Sequence, residues 1–456
     1  MFIGPGTTRV SRRHALRLVG LSAAGVALAA CSQSAPPAAA PAKSAGAPAA
    51  PAAATSAPAA APAQQAPAAA AAKPHAGKTL KFGLLNNFKG DAIEKALPEF
   101  EKASGAKVSL DKLPLENLVD KLAVTFASGN PDYDVGMIDE PWVAGLSPYL
   151  LPLDDLVTKD KIDLKLYVEK AMAAGKYEGK TVALPLDPNV QMVWYRKDLF
   201  TEKNVKPPTN LDELFAAAEK LHDPAKDVAG ISIAAKKEAQ TMVAAITLLW
   251  KEGGEVITSD GKFGFDTPAG SKALETYQKV IKVAPQGVLG YGGAEIIESF
   301  YQGKVAQMLY WASAGPNAID PAKSKVADKV GWTSIPNAMR GVWVLGIAKD
   351  SKNKELAWDF VKWMTGPEGS LPFTQFGGGH SARTDVLNNP DFVKKYPWAP
   401  DFLKALEGSK ARPQTPHWTA IQTAIVDMST AVLSGQKSSA DAVKAASDQL
   451  APYLKK

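Results

Sequence analysis

Between residues 79 and 139 the apolar positions change period four times. "TLKFGLLNN" (79–87) is a continuous apolar run ending in amides, as a buried strand does. Ile93, Ala96, Leu97 and Phe100 then recur at helical spacing up to Gly105, with Pro98 predicting a kink. A short strand follows at 107–110. Next comes a helix with Leu115, Leu118, Leu122 and Phe126 on one face and Gly129 as its stop, and then a strand over "YDVGMID" (133–139). Strand, helix, strand, helix, strand predicts a parallel sheet covered by helices.

Further strand-like runs lie at 181–186, 229–234, 305–311 and 341–348. Helical stretches over 211–222, 236–252, 268–283 and 353–365 separate them, and the last 90 residues or so read as helical, most clearly "AIQTAIVDMSTAVL". No solenoid period appears. The expectation is an α/β protein with more residues than one hydrophobic core holds.

The N-terminal pattern differs. Arg12 and Arg13 precede an apolar run from Leu18 to Ala30, whose thirteen residues fall short of the about 20 that span a bilayer. This resembles a twin-arginine export signal over residues 1–30, with Ala15 where a bulky apolar residue is usual. Leu28-Ala29-Ala30-Cys31 resembles a bacterial lipobox, which makes Cys31 the lipidated first residue of the mature chain. As the single cysteine, Cys31 cannot form an internal disulfide or a thiolate metal site. Residues 31–78 are then an Ala/Pro-rich tether with nine prolines between Ser32 and Gly77. Such chain is extended and semi-rigid, with a reach on the order of 100 Å.

Charge follows the same division. The net +6 sits in the first 78 residues, where seven basic side chains face no acid, leaving 45 of the 52 basic side chains against all 46 acidic ones. The folded part is therefore near neutral, which removes the electrostatic case for nucleic acid.

Its chemistry is equally plain. His222, His380 and His417 lie far apart, and no HExxH, GxSxG, P-loop or strand-to-helix GxGxxG is present. "GYGG" (290–293) and "FGGGH" (376–380) read as bends. The paired acids Asp139/Glu140 and Asp154/Asp155 are adjacent, so they do not flank a common substrate. No catalytic residue, metal ligand or cofactor is assigned.

Six segments in one order carry a resemblance: "LLPLDDL" (150–156), "GKTVALPLDPNVQMVWYRKDLF" (179–200), "FYQGKVAQMLYW" (300–311), "RGVWVLGIAKDSKNKELAWDFVKWMTGPEG" (340–369), "FGGGHSARTDVL" (376–387) and "VLSGQKSSADAVKAA" (432–446). Together they resemble the extracellular solute-binding proteins of ABC importers, in the carbohydrate-type family that includes maltose-binding protein. The resemblance implies a two-lobed periplasmic-binding-protein type II, or Venus flytrap, fold with a helical C-terminal part. Three hinge crossings fall near Pro185–Asn189, Arg340–Leu345 and Phe376–Arg383. The first lobe comprises 79–187 plus 346–376 and the second 189–340 plus 383–456. It further implies a monomer that closes on a sugar, oligosaccharide or polyol and delivers it to the transmembrane permease subunits, with no chemistry performed.

A sugar offers hydroxyls and apolar CH faces, so its site needs flat aromatics and planar polar groups. Trp142, Trp311, Trp343 and Trp418 are candidates for the cleft, each with a core position as the alternative. Trp194, Trp332, Trp358 and Trp363 read as packing. Asn86 and Asn87 after the first strand, Asp139 at the end of the third, and Asp187, Asn189 and Gln191 around the first crossing are the polar candidates. Arg383 is either a ligand contact or half of a hinge ion pair. Other readings are a binding protein for a polyamine, peptide or metal complex, a secreted glycan hydrolase, and a surface sensor or adhesion lipoprotein.

Overall fold

The computed structural model describes residues 73–454, so the export signal, Cys31 and most of the Ala/Pro spacer lie outside the described residues. Its strands in chain order are β1 (Thr79–Leu85), β2 (Lys107–Leu113), β3 (Val135–Asp139), β4 (Lys176–Tyr177), β5 (Lys180–Thr181), β6 (Ala183–Arg196), β7 (Gln307–Trp311), β8 (Val330–Thr333) and β9 (Arg340–Ile347). β4 and β5 form a small separate hairpin. The other seven form one ladder in the order β2-β1-β3-β9-β6-β7, with β8 also on β6.

The expected parallel unit is present. β1 pairs in parallel with β2 along its whole length and with β3 at Phe82 and Gly83. The helix Phe88–Ser104 buries Ile93, Ala96, Leu97 and Phe100 and stops at Gly105 in the left-handed region, φ 78°. It runs unbroken through Pro98, because its apolar face on the sheet outweighs the local cost of the proline. The helix Leu115–Ala127 lies so close to β3 that a Cβ on Gly136 would come within 2.8 Å of Leu122 and 2.9 Å of Phe126.

β6 extends far beyond the apolar run that predicts it. Its first half, from Ala183 to Val190, pairs antiparallel with β9, and its second half pairs with β7 and β8. One continuous strand of 14 residues thus joins both parts of the sheet. Pro185 and Pro188 are tolerated in its interior where the ladder is irregular: the register shifts between Pro185 and Asp187.

The run 229–234 forms no strand; only Ala229 and Ser232 bridge to Val305 and Met308. β8 is a strand that the pattern does not announce. The folded body also takes in residues 73–78, which composition assigns to the tether: His75 is buried, its backbone N–H donates to Ser104 O at 2.9 Å, and its Nε2 lies 2.8 Å from Asp359 Oδ2. A histidine held by two long-range partners marks this as folded chain despite its alanine and proline.

Two aromatic clusters mark the core. Phe82, Phe100, Phe360 and Trp363 pack beside β1, and Trp194, Trp332 and Trp398 pack on the second half of β6. Trp358 is also buried and donates its indole N–H to Asp160 at 2.8 Å. Among the described residues no helix is long and apolar enough to cross a membrane.

Candidate binding cleft

A cavity of about 640 Å³ opens where β3, β6, β7 and β9 meet, a size typical of small-molecule sites. Four helices begin at its wall: Phe88–Ser104, Leu115–Ala127, Ala239–Lys251 and Trp418–Leu433. Their first turns bring the positive ends of helix dipoles to it, an environment that favours ligand oxygens.

Aromatic surface comes from the strand ends. Trp142, just past β3, meets Trp343 of β9 edge to face, with ring centroids 5.6 Å apart at 88°. Trp311, at the end of β7, donates its indole N–H to Gln240 Oε1 at 3.3 Å. Asn189, in the first crossing, donates from Nδ2 to Ser313 Oγ at 2.9 Å, fixing both planar polar groups on the wall.

Two cationic side chains line the cavity, and each is held by a carboxylate. Arg412 donates from both terminal nitrogens to Asp139, at 2.8 and 2.7 Å, and its guanidinium lies 5.8 Å from the centre of the Trp418 ring. The Lys89 ammonium is paired with Asp187. Next to Asp139, Glu140 accepts from Arg340 at 3.0 Å. Burial pushes the Glu140 carboxyl up to about 7, against the opposing pull of Arg340 and Arg412. Burial, reinforced by the positive charge of Lys89, lowers His380 to about 3, so its ring is neutral.

Of the expected residues, Asp139, Trp142, Asn189, Trp311 and Trp343 line this cavity. The other six do not. Asn86 is exposed, and Asn87 caps the following helix by accepting from the Lys89 backbone N–H at 3.0 Å. That turn carries the next two residues, Phe88 and Lys89, to the cavity instead. Asp187 is fully buried behind the wall, and Gln191 is buried with its Oε1 accepting from Thr247. Arg383 donates to Asp385, two residues on, at 3.0 and 2.7 Å, beside the Tyr167 ring. Trp418 is 1% exposed and backs the wall: its N–H donates to Gln422 at 3.2 Å, which faces the cavity together with Thr419 and Thr423.

Sequence reading missed Lys89, Gln240, Tyr310 and Arg412 on the wall. The first was one step from view, since an asparagine that caps a helix commits the next residues to its exposed first turn. Arg412 stands alone in a proline-rich stretch ahead of a helix, and only its distant partner Asp139 reveals its place. Among the described residues no group of three His, Cys, Asp or Glu side chains could hold a metal ion.

Comparison with known proteins agrees with this geometry. The family model for bacterial extracellular solute-binding proteins matches residues 88–370. A probable amino-acid ABC transporter periplasmic-binding protein of Sinorhizobium fredii is 27% identical over 349 residues, 74% of this chain and 80% of that protein. A solute-binding protein of Agrobacterium radiobacter, solved with ribitol, is similar at 29% identity with a TM-score of 0.78, over 83% of this chain and 99% of its own. The maltose-bound MalE3 of T. maritima is similar at 26% identity with a TM-score of 0.75, over 83% and 100%. The fold is thus the two-lobed α/β type II arrangement, and this chain belongs to the bacterial extracellular solute-binding proteins.

Proposed function

We propose that this chain is the substrate-binding lipoprotein of an ABC importer and that its solute is an uncharged polyhydroxyl compound, a sugar or polyol. The observation that carries the ligand class is the charge state of the wall. Both cations lining the cavity, Lys89 and Arg412, are already matched by buried carboxylates. An amino acid brings a carboxylate into the cleft, and it needs a positive side chain not spent elsewhere; the remaining charge on the wall, Glu116, is negative. Hydroxyl groups need only the hydrogen-bonding capacity of groups such as Asn189, Gln240 and Gln422, and their CH faces match Trp142, Trp311 and Trp343. The ribitol and maltose complexes of the similar proteins support the same class.

The lobes in this reading comprise 79–187 with 346–376, and 189–340 with 383–456. They close about the three crossings to trap the ligand, and the permease subunits recognise the closed form. Lipidation of Cys31 holds the monomer at the membrane surface, and the Ala/Pro spacer keeps the binding body near its transporter at high effective concentration.

Calorimetry with ribitol, maltose and L-glutamate tests the ligand class, with small-angle scattering to follow closure. Binding of ribitol or maltose with compaction, and none of glutamate, is expected. Tight glutamate binding with neither carbohydrate bound overturns the assignment. Anchoring is tested separately: Cys31→Ala should move the protein from the membrane to the soluble fraction with ligand affinity unchanged.

A further inference from the structure

One buried carboxylate belongs to a residue of the first crossing that pairs with the second in the ladder, and it is bonded by the third. Asp187 lies in β6, the first crossing, and is 0% exposed. Across the ladder it stands opposite Trp343 of β9, the second crossing, at the point where the register shifts. In the third crossing the backbone N–H of His380 donates to Asp187 Oδ1 at 2.9 Å. The neighbouring Gly379 has φ +145°, and a Cβ there would sit 2.2 Å from the same oxygen, so only glycine lets the backbone approach this closely. The other oxygen, Oδ2, takes the ammonium of Lys89, and Lys89 lines the cavity.

We propose that Asp187 is the positioning residue that couples ligand occupancy to the hinge: it holds Lys89 at the cavity wall while its carboxylate ties the first crossing, paired with the second in the ladder, to the third. An ammonium has three N–H donors. Lys89 gives one to Asp187 and keeps others for a ligand oxygen. A ligand that engages Lys89 pulls on the carboxylate to which His380 and β6 are fastened, opposite Trp343. Asp187 itself touches no ligand; it acts through Lys89.

The test uses the full chain and two near-isosteric variants. Asp187→Asn keeps an acceptor for His380 but removes the charge that holds Lys89. Lys89→Met keeps the stem and removes the ammonium. Each should raise amide hydrogen exchange in 185–190, 340–345 and 376–383 together, measured without ligand. Each should also weaken binding of ribitol or maltose on the order of tenfold, as expected when a buried charge loses its partner. The double variant should bind no more weakly than the weaker single variant, because both substitutions break the same link.

Exchange that changes only around residues 379–381, or crossings as protected in Lys89→Met as in the wild type, overturns the proposal. So do losses of affinity that add in the double variant. If Asp187→Asn does not fold, Lys89→Met alone still decides it. The affinity measurement rests on the proposed ligand class, whereas the exchange measurement does not. A wild type that binds neither carbohydrate therefore counts against the class and leaves the hinge proposal to the exchange data.

Discussion

Trp194, Trp332 and Trp398 form one tryptophan cluster, and Trp142 with Trp343 forms another, yet their surroundings give the same side chain two uses. Both clusters contain edge-to-face pairs, at 5.4 Å for Trp194–Trp398 and 5.6 Å for Trp142–Trp343. In the first, Trp194 and Trp398 are fully buried, and a Cβ on Gly315 would come within 2.5 Å of both rings. In the second, Trp142 and Trp343 face the cavity, and Trp343 is half-buried. Aromatic packing is therefore a poor guide to role, and what matters is whether one ring face is left to something outside the protein.

The largest test of this contrast is Trp194→Ala. Removing a fully enclosed indole should cost about 3–5 kcal/mol in chemical denaturation, with the folded fraction still binding its ligand normally. Trp194→Phe should be much milder, since the indole N–H has no hydrogen-bond partner. A small loss for Trp194→Ala would mean that the cluster is not a core.

On the cleft side, Arg412→Ala leaves Asp139 buried without its bidentate partner and strips the cation from the Trp418 ring. A loss of about 3 kcal/mol in stability is expected, together with weaker ligand binding. If only stability changes, Arg412 serves the wall and not the ligand.

Trp343→Ala should reverse the pattern of Trp194→Ala. It should cost about 1 kcal/mol in stability while lowering affinity for ribitol or maltose on the order of tenfold. Equal stability losses at the two positions would erase the distinction between the clusters.

The last test concerns pH, and the two clusters carry opposite signs. Glu140, beside the cleft, is raised from 4.5 to about 7 in the fold. The folded state thus holds a proton that the unfolded state releases, and stability falls as pH rises from about 4.5 to about 7. His380 accepts from the Trp398 indole at 3.4 Å and is lowered from 6.5 to about 3. Its contribution is complete above about 6.5 and is lost as pH falls toward about 3. Melting temperature measured across pH 4 to 8 should lose its alkaline decline in Glu140→Gln and its acid decline in His380→Asn.

Local pattern was sufficient for the βαβαβ start, because each of those elements buries one face against its sequence neighbours. It also placed Trp194, Trp332, Trp358 and Trp363 in packed positions, the first two within apolar runs and the last two on a helix with Leu356, Phe360, Val361 and Met364. It failed for β6 beyond Leu186, where prolines and polar residues hide a strand whose pairing partners lie more than 100 residues away. It failed at 229–234, where an apolar run finds only isolated bridges. The site divided along the same line. Asp139 and Trp142 follow the carboxyl end of a strand in an α/β sheet, where ligand sites recur. Gln191 and Asp187 are near neighbours of Asn189 in sequence, yet they face the interior while Asn189 faces the cavity, and the chain's own order does not say which side is open.

By itself the sequence determined the division into a basic leader, an acid-free Ala/Pro stretch and a near-neutral α/β body, since composition and period act through neighbours a few residues apart. It also offered aromatic and amide side chains suited to binding. Only the tertiary structure decided which charges are spent. Asp139 meets Arg412 across 273 residues and Lys89 meets Asp187 across 98. A charge's availability to a ligand depends on its nearest opposite charge in space, and that distance is set by how the sheet and its crossings fold together.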